Sequence, residues 1–253
     1  MEALIESCFE SGFGPGPLSP EPGSKRSIRG GITPHAGINV SGPVAAHTYH
    51  AIYADGIPET FVIIGPSHRS SGPPVASTSE DFIMPSGVCE VDRDLLDALD
   101  GAVTEDPMTH IYEHSLEVQV PFIQRIAPEA RIVPLAMNDQ GPQTAQMLGE
   151  ALGEACSGRD VVILASTDLT HYESPESARA KDSKVIRAIE SLEPMAVWEA
   201  VMSDRVSMCG PGPVMSMMYA VGPSSCDVLC YSNSGEILGS GSEVVGYLSA
   251  VLR

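Results

Sequence analysis

The chain has 253 residues, 43% of them hydrophobic, with 33 acidic side chains against 14 basic ones and a net charge of −19. That length supports one large core, read here as a single α/β domain over residues 1–253. No apolar run approaches the ~20 residues that span a bilayer, and no basic stripe is present to hold nucleic acid, so neither a membrane nor a nucleic acid is an expected partner.

The opening MEALIESCFE has no basic stretch ahead of an apolar one, so no secretory leader is expected and the predicted location is cytoplasmic. Residues 12–23 are rich in Pro and Gly and read as a surface loop. Arg29–Thr33 is a short strand running into PHAG, and Pro43–Ala54 is helical in character. FVIIG (Phe61–Gly65) is an apolar, β-branched run, the mark of a buried parallel strand, and it ends at PSH. Asp92 then caps a short helix carrying Leu95, Leu96 and Leu99. Glu113–Ala127 reads as one helix with Leu116, Val120, Ile123 and Ile126 on one side and a kink expected at Pro121. RIVPLAM (Arg131–Met137) is a strand, Thr144–Cys156 a helix, and DVVILAS (Asp160–Ser166) the clearest buried strand, ending at TDLTHY. Helices follow at Pro175–Leu192, at Met195–Ser203 and from Pro211 or Pro213 onward. Cys226–Ser232 and Val244–Ala250 close the chain as strands. Repeated strand–helix alternation predicts a three-layer fold, a mostly parallel sheet with helices on both faces.

Chemistry concentrates in the histidines. His35, His68 and His171 each follow a strand at its C-terminal end. In open α/β sheets ligands bind outside those ends, so three histidines from three strands can meet in one crevice. The alternative is three separate turn residues, each with its own hydrogen bond. His47 and His50, three apart on a helix, read as ordinary helix histidines, and His110 as a surface residue. His114, in the first turn of a helix, is equally consistent with a ligand-facing and a structural role. Asp168, three residues before His171, can orient an imidazole, bind metal, serve as acid or base, or cap the following turn. Cys209 stands just ahead of a helix, where backbone N–H groups and the helix dipole are expected to lower its thiol pKa. By itself it reads as a small buried residue. The six cysteines form no CxxC pair, as expected in a reducing compartment.

Five motifs in order resemble the Memo family, the Memo component of the set named AmmeMemoRadiSam. They are PHAG (Pro34–Gly37), GPSH (Gly65–His68), EHSLEVQVPF (Glu113–Phe122), STDLTHY (Ser166–Tyr172) and CGPGP (Cys209–Pro213). The resemblance implies the fold of class III extradiol dioxygenases. It places metal ligands on His35, His68 and Cys209, and further pocket residues on Asp168 and His171 with His114 nearby. It implies iron(II) as the metal, with copper or zinc as alternatives. The dioxygenases use two histidines and a carboxylate, so a cysteine in the third position changes the redox behaviour of the site. The resemblance also implies radical-SAM and AMMECR-type partner proteins. Family members open with an Arg-Pro…Ala-Gly-x-Phe-Tyr segment that has no counterpart here, so either the start is shortened or the pocket is more open.

Three functions are compatible with these residues. The first is a redox metalloprotein, an oxygenase on a small aromatic substrate, with His171 as base oriented by Asp168. The second is a zinc-dependent hydrolase on the same ligands. The third is a non-catalytic module that binds a peptide or partner in the crevice.

Overall fold

The longest apolar runs fold as strands buried on both faces. In the computed structural model, which describes residues 1–69 and 72–253, β1 (Gly30–Thr33) follows α1 (Glu2–Glu10), and α2 (Ile38–Asp55) leads to β2 (Thr60–Pro66). A region of short elements comes next: β3 (Val75–Ser77), β4 (Phe82–Met84), β5 (Gly87–Cys89), α3 (Arg93–Asp97), β6 (Thr104–Glu105), α4 (Pro107–His110), α5 (His114–Glu117) and α6 (Val120–Ile126). Then come β7 (Arg131–Met137), α7 (Pro142–Ala155), β8 (Val161–Ser166), β9 (His171–Glu173), α8 (Pro175–Glu190) and α9 (Pro194–Ser203). The chain closes with α10 (Pro211–Val221), β10 (Cys226–Asn233), α11 (Ser234–Leu238) and β11 (Val244–Leu252). β2 is buried at every position, and β7 and β8 at all but their first. Such continuous burial belongs to interior parallel strands.

The sheet runs β10-β11-β1-β8-β2-β7-β3-β6, with β9 paired to β11. Its centre, β1-β8-β2-β7, is parallel. β11 returns antiparallel between β1 and β10, and β3 lies antiparallel on β7. The expected mostly parallel sheet is therefore a parallel centre with antiparallel flanks. Two adjacent glycines of β1 show the layering. A Cβ on Gly30 would strike Met217 of α10, and one on Gly31 would strike Thr48 of α2. Successive strand residues point to opposite faces, so α10 and α2 cover opposite sides of the sheet. A contiguous apolar cluster joins Ile5 and Phe9 of α1 to Val251 and Leu252 of β11 through the central strands.

Several boundaries differ from expectation. The helix predicted over Glu113–Ala127 is two pieces, α5 and α6, and Pro121 stands in the first turn of α6. There its missing N–H has no partner to lose, so proline starts a second helix instead of kinking a long one. α7 likewise starts earlier than predicted, on Pro142. The Asp92 carboxylate does cap α3, accepting the Leu95 N–H, but the helix ends at Asp97 and Leu99 is buried beyond it. The strands and helix between residues 75 and 110, other than α3, are too short to show a period in the sequence. Residues 12–23 carry neither helix nor strand, and among the described residues no helix is long and apolar enough to cross a membrane.

Candidate metal centre

β1, β8 and β2 are neighbours running in one direction, so the loops after them open on the same edge of the sheet. His35 lies two residues past β1, His68 two past β2, and Asp168 two past β8. Cys209 arrives from far along the chain. Its N–H donates to the Asp168 carbonyl at 3.2 Å, and the Gly210 N–H donates to Thr167 Oγ1 at 2.9 Å. Gly210 permits this approach, because a Cβ there would lie 2.7 Å from Thr167 Cβ and 2.9 Å from the Ser166 carbonyl oxygen. One ligand atom each of His35, His68 and Cys209 then falls within 4.8 Å of the others. Cys209 Sγ is 3.3 Å from His35 Nε2.

Charge in the site is organised around Glu113. Its carboxylate accepts the His68 N–H at 2.6 Å, the Ser115 N–H at 2.8 Å and His68 Nδ1–H at 2.9 Å. Burial works against the ionised form, but these hydrogen bonds outweigh it and hold the Glu113 pKa at about 2. An ionised carboxylate only accepts, so His68 carries a proton on Nδ1, and in the neutral ring the lone pair is on Nε2. The same hydrogen bond raises the His68 pKa against the effect of burial. His35 is 1% exposed. Burial, reinforced by the charges of His68 and His114, drives its pKa well below the usual range and keeps the ring neutral.

Burial, with Asp168 second, pushes the Cys209 thiol up to about 12. The expectation of a lowered thiol pKa is therefore corrected. Sγ accepts the Asp168 N–H at 3.2 Å, which favours thiolate, but desolvation and the nearby carboxyl prevail. Burial also raises Asp168 to about 6, against the N–H groups of His35 and Ala36 and the charge of His171.

His114 joins the cluster from α5. Its ring stacks on His68 at 4.5 Å between centroids and lies 5.5 Å from the His35 ring. Its pKa is lowered by burial and by His68, although its side chain is 52% exposed. His171 is held differently from expectation. Its Nδ1–H is shared by the Leu169 and Ser207 carbonyls, each at 2.8 Å. Those carbonyls orient the imidazole, whereas the Asp168 carboxylate is engaged by the backbone of His35 and Ala36. His47 Nε2 bonds the Phe13 carbonyl at 3.0 Å on α2. His110 is not the expected surface residue: α4 packs on β3, and both its ring nitrogens are shielded from solvent. Glu113 and Ser166 are the site residues that sequence reasoning did not single out, although both stand inside the recognised motifs.

Two imidazoles and a thiol that sheds its proton on binding make a donor set suited to iron, copper or zinc. A family model described as "Memo-like protein" matches residues 1–251. A MEMO1 family protein of Methanothermobacter thermautotrophicus is 42% identical over 98% of this chain and 92% of its own length. One from Methanopyrus kandleri is 40% identical over 100% and 93%, and one from Ignicoccus hospitalis 40% over 96% and 90%. Among solved structures, the uncharacterized protein JW3007 from Escherichia coli K12 superposes with a TM-score of 0.56 at 12% identity. The match covers 88% of this chain and 99% of that one, and it speaks to the fold alone. The architecture is α/β, a mostly parallel mixed sheet flanked by helices, consistent with the class III extradiol dioxygenase-like fold.

Proposed function

The chain belongs to the Memo family, and from that premise we propose that it is a redox metalloprotein holding iron(II) or copper through His35, His68 and Cys209, acting as an oxygenase on a small aromatic substrate. One observation carries the reading: two imidazoles and one thiol from three distant parts of the chain lie within 4.8 Å of one another. The bound metal would supply electron transfer and open coordination positions.

The chain's own residues supply the remaining functions. Glu113 orients His68 through Nδ1, leaving Nε2 for the metal. His171 serves as base: its Nδ1–H is committed to two carbonyls, so Nε2 is the nitrogen that takes a proton. Asp168, at about 6 and in contact with Cys209 through its own backbone, holds or releases a proton near neutral pH. His114, half-exposed and stacked on His68, is placed to meet a substrate from solvent.

A second reading has its own observation. Ile111, Tyr112 and Tyr172, flanking His114 and His171 in the chain, are all exposed. That suits a peptide or partner protein docking over the crevice without turnover, and radical-SAM and AMMECR-type proteins are the partners implied by resemblance.

Metal analysis of protein purified without oxygen tests the reading. Wild type is expected to carry stoichiometric iron or copper, Cys209→Ser to lose most of it, and His171→Ala to keep it while losing turnover. An empty His171→Ala beside a full Cys209→Ser would exchange the roles of the two residues. Zinc alone would favour a hydrolase, and a metal-free wild type the docking module.

A further inference from the structure

We propose that Ser166 is a positioning residue that fixes the tautomer of His35, with the Ser115 carbonyl and the Gln119 amide directing its hydroxyl. The proposal rests on the metal-binding reading for its consequence, but its first claim concerns the metal-free protein.

The argument follows the hydrogens through a buried chain of polar groups. Tyr49, Thr33, Gln119, Ser115 and Ser166 are fully buried, so each hydrogen must end on a protein partner. Tyr49 keeps its phenolic proton because burial raises its pKa. It donates to Gln119 Oε1 at 2.6 Å, and the Thr33 hydroxyl donates to the same oxygen at 3.2 Å. At the other end of the amide, Nε2 lies 3.0 Å from the Pro34 carbonyl, which can only accept. The amide orientation is thereby determined, and the second Nε2 hydrogen goes to Ser166 Oγ at 2.9 Å.

The Ser166 hydrogen has one destination. Oγ is 2.6 Å from the Ser115 carbonyl, another group that only accepts. Ser166 therefore presents a lone pair to His35 Nδ1 at 2.9 Å, and His35 must supply the hydrogen. A ring that carries its single hydrogen on Nδ1 has its lone pair on Nε2, which lies 3.3 Å from Cys209 Sγ. The network thus selects the one neutral tautomer whose lone pair points at the candidate metal position. A population of the other tautomer would weaken binding in proportion to its share.

The test is a long-range proton–nitrogen NMR spectrum of ¹⁵N-labelled protein without metal, with the His35 signals assigned by comparison with His35→Gln. Wild type should show His35 protonated at Nδ1 only; a ring protonated at Nε2 would overturn the proposal. Ser166→Ala should populate the second tautomer and weaken zinc binding by about 10–100-fold, with an unchanged far-ultraviolet circular dichroism spectrum. Ser166→Thr, which keeps the hydroxyl, should restore the wild-type tautomer. Ser166→Ala with wild-type tautomer and wild-type zinc affinity would overturn the proposal. If Ser166→Ala does not fold, Gln119→Met decides: a smaller shift in the same direction supports the proposal, and no change in tautomer or affinity overturns it. If wild type binds neither zinc nor iron, the metal reading fails while the tautomer measurement still decides the first claim.

Discussion

At the scale of single residues, the proposed ligand Cys209 gives the most direct test. A thiol pushed up to about 12 is protonated at neutral pH, so binding as thiolate must release a proton. Below that pKa the thiolate fraction rises tenfold with each unit of pH. Metal affinity should therefore climb about tenfold per pH unit between pH 6 and 8. His68, with its pKa raised by Glu113, steepens the acidic end because its proton must also leave. Chelator competition at several pH values measures the slope. Cys209→Asp should flatten it, since a carboxyl loses its proton much lower, and should retain iron better than Cys209→Ser. A wild-type affinity independent of pH would show that Cys209 does not bind as the thiolate.

At the scale of elements, the loop carrying His171 is tied down by α8. Asp182, fully buried on that helix, accepts the Thr170 N–H at 2.9 Å, the Thr170 hydroxyl at 2.6 Å and the Tyr231 hydroxyl at 2.8 Å. One carboxylate thus joins α8, the start of β9 and β10. Asp182→Ala removes three hydrogen bonds and leaves a buried N–H unpaired. It should destabilise the fold by about 3 kcal/mol, as read by urea unfolding. Asp182→Asn keeps an acceptor for Thr170 and should cost less than the alanine change. A loss for the alanine variant within experimental error would mean that water replaces these bonds.

At the scale of the molecule, 33 acidic side chains face 14 basic ones. The ion pairs among the described residues, such as Arg125 with Glu6 and Arg93 with Asp81, are partly exposed and individually weak. The excess of like charge repels over distances that salt shortens, since the Debye length falls from about 30 Å at 0.01 M to about 10 Å at 0.1 M. The melting temperature should therefore rise from low to moderate potassium chloride. A flat or falling curve in calorimetry would mean that local pairing already cancels the repulsion.

The sequence by itself determined the central strands, because residues such as Phe61–Ile64 and Val162–Ala165 are apolar enough to require burial on both sides. It also marked the strand ends after which His35 and His68 come, since a parallel sheet collects those ends at one edge, whereas His171, read the same way, stands further on at the start of β9. Three matters were decided only by tertiary structure. The break between α5 and α6 depends on where Pro121 falls relative to a helix start, which periodicity does not register. The high pKa of Cys209 comes from burial against Asp168, whereas local sequence displayed only the helix that follows it. The partners of the site histidines, Glu113 for His68 and Ser166 for His35, stand 45 and 131 residues away in the chain. Hydrogen bonds over such separations exist only after the sheet is assembled, because they need two loops brought to the same edge.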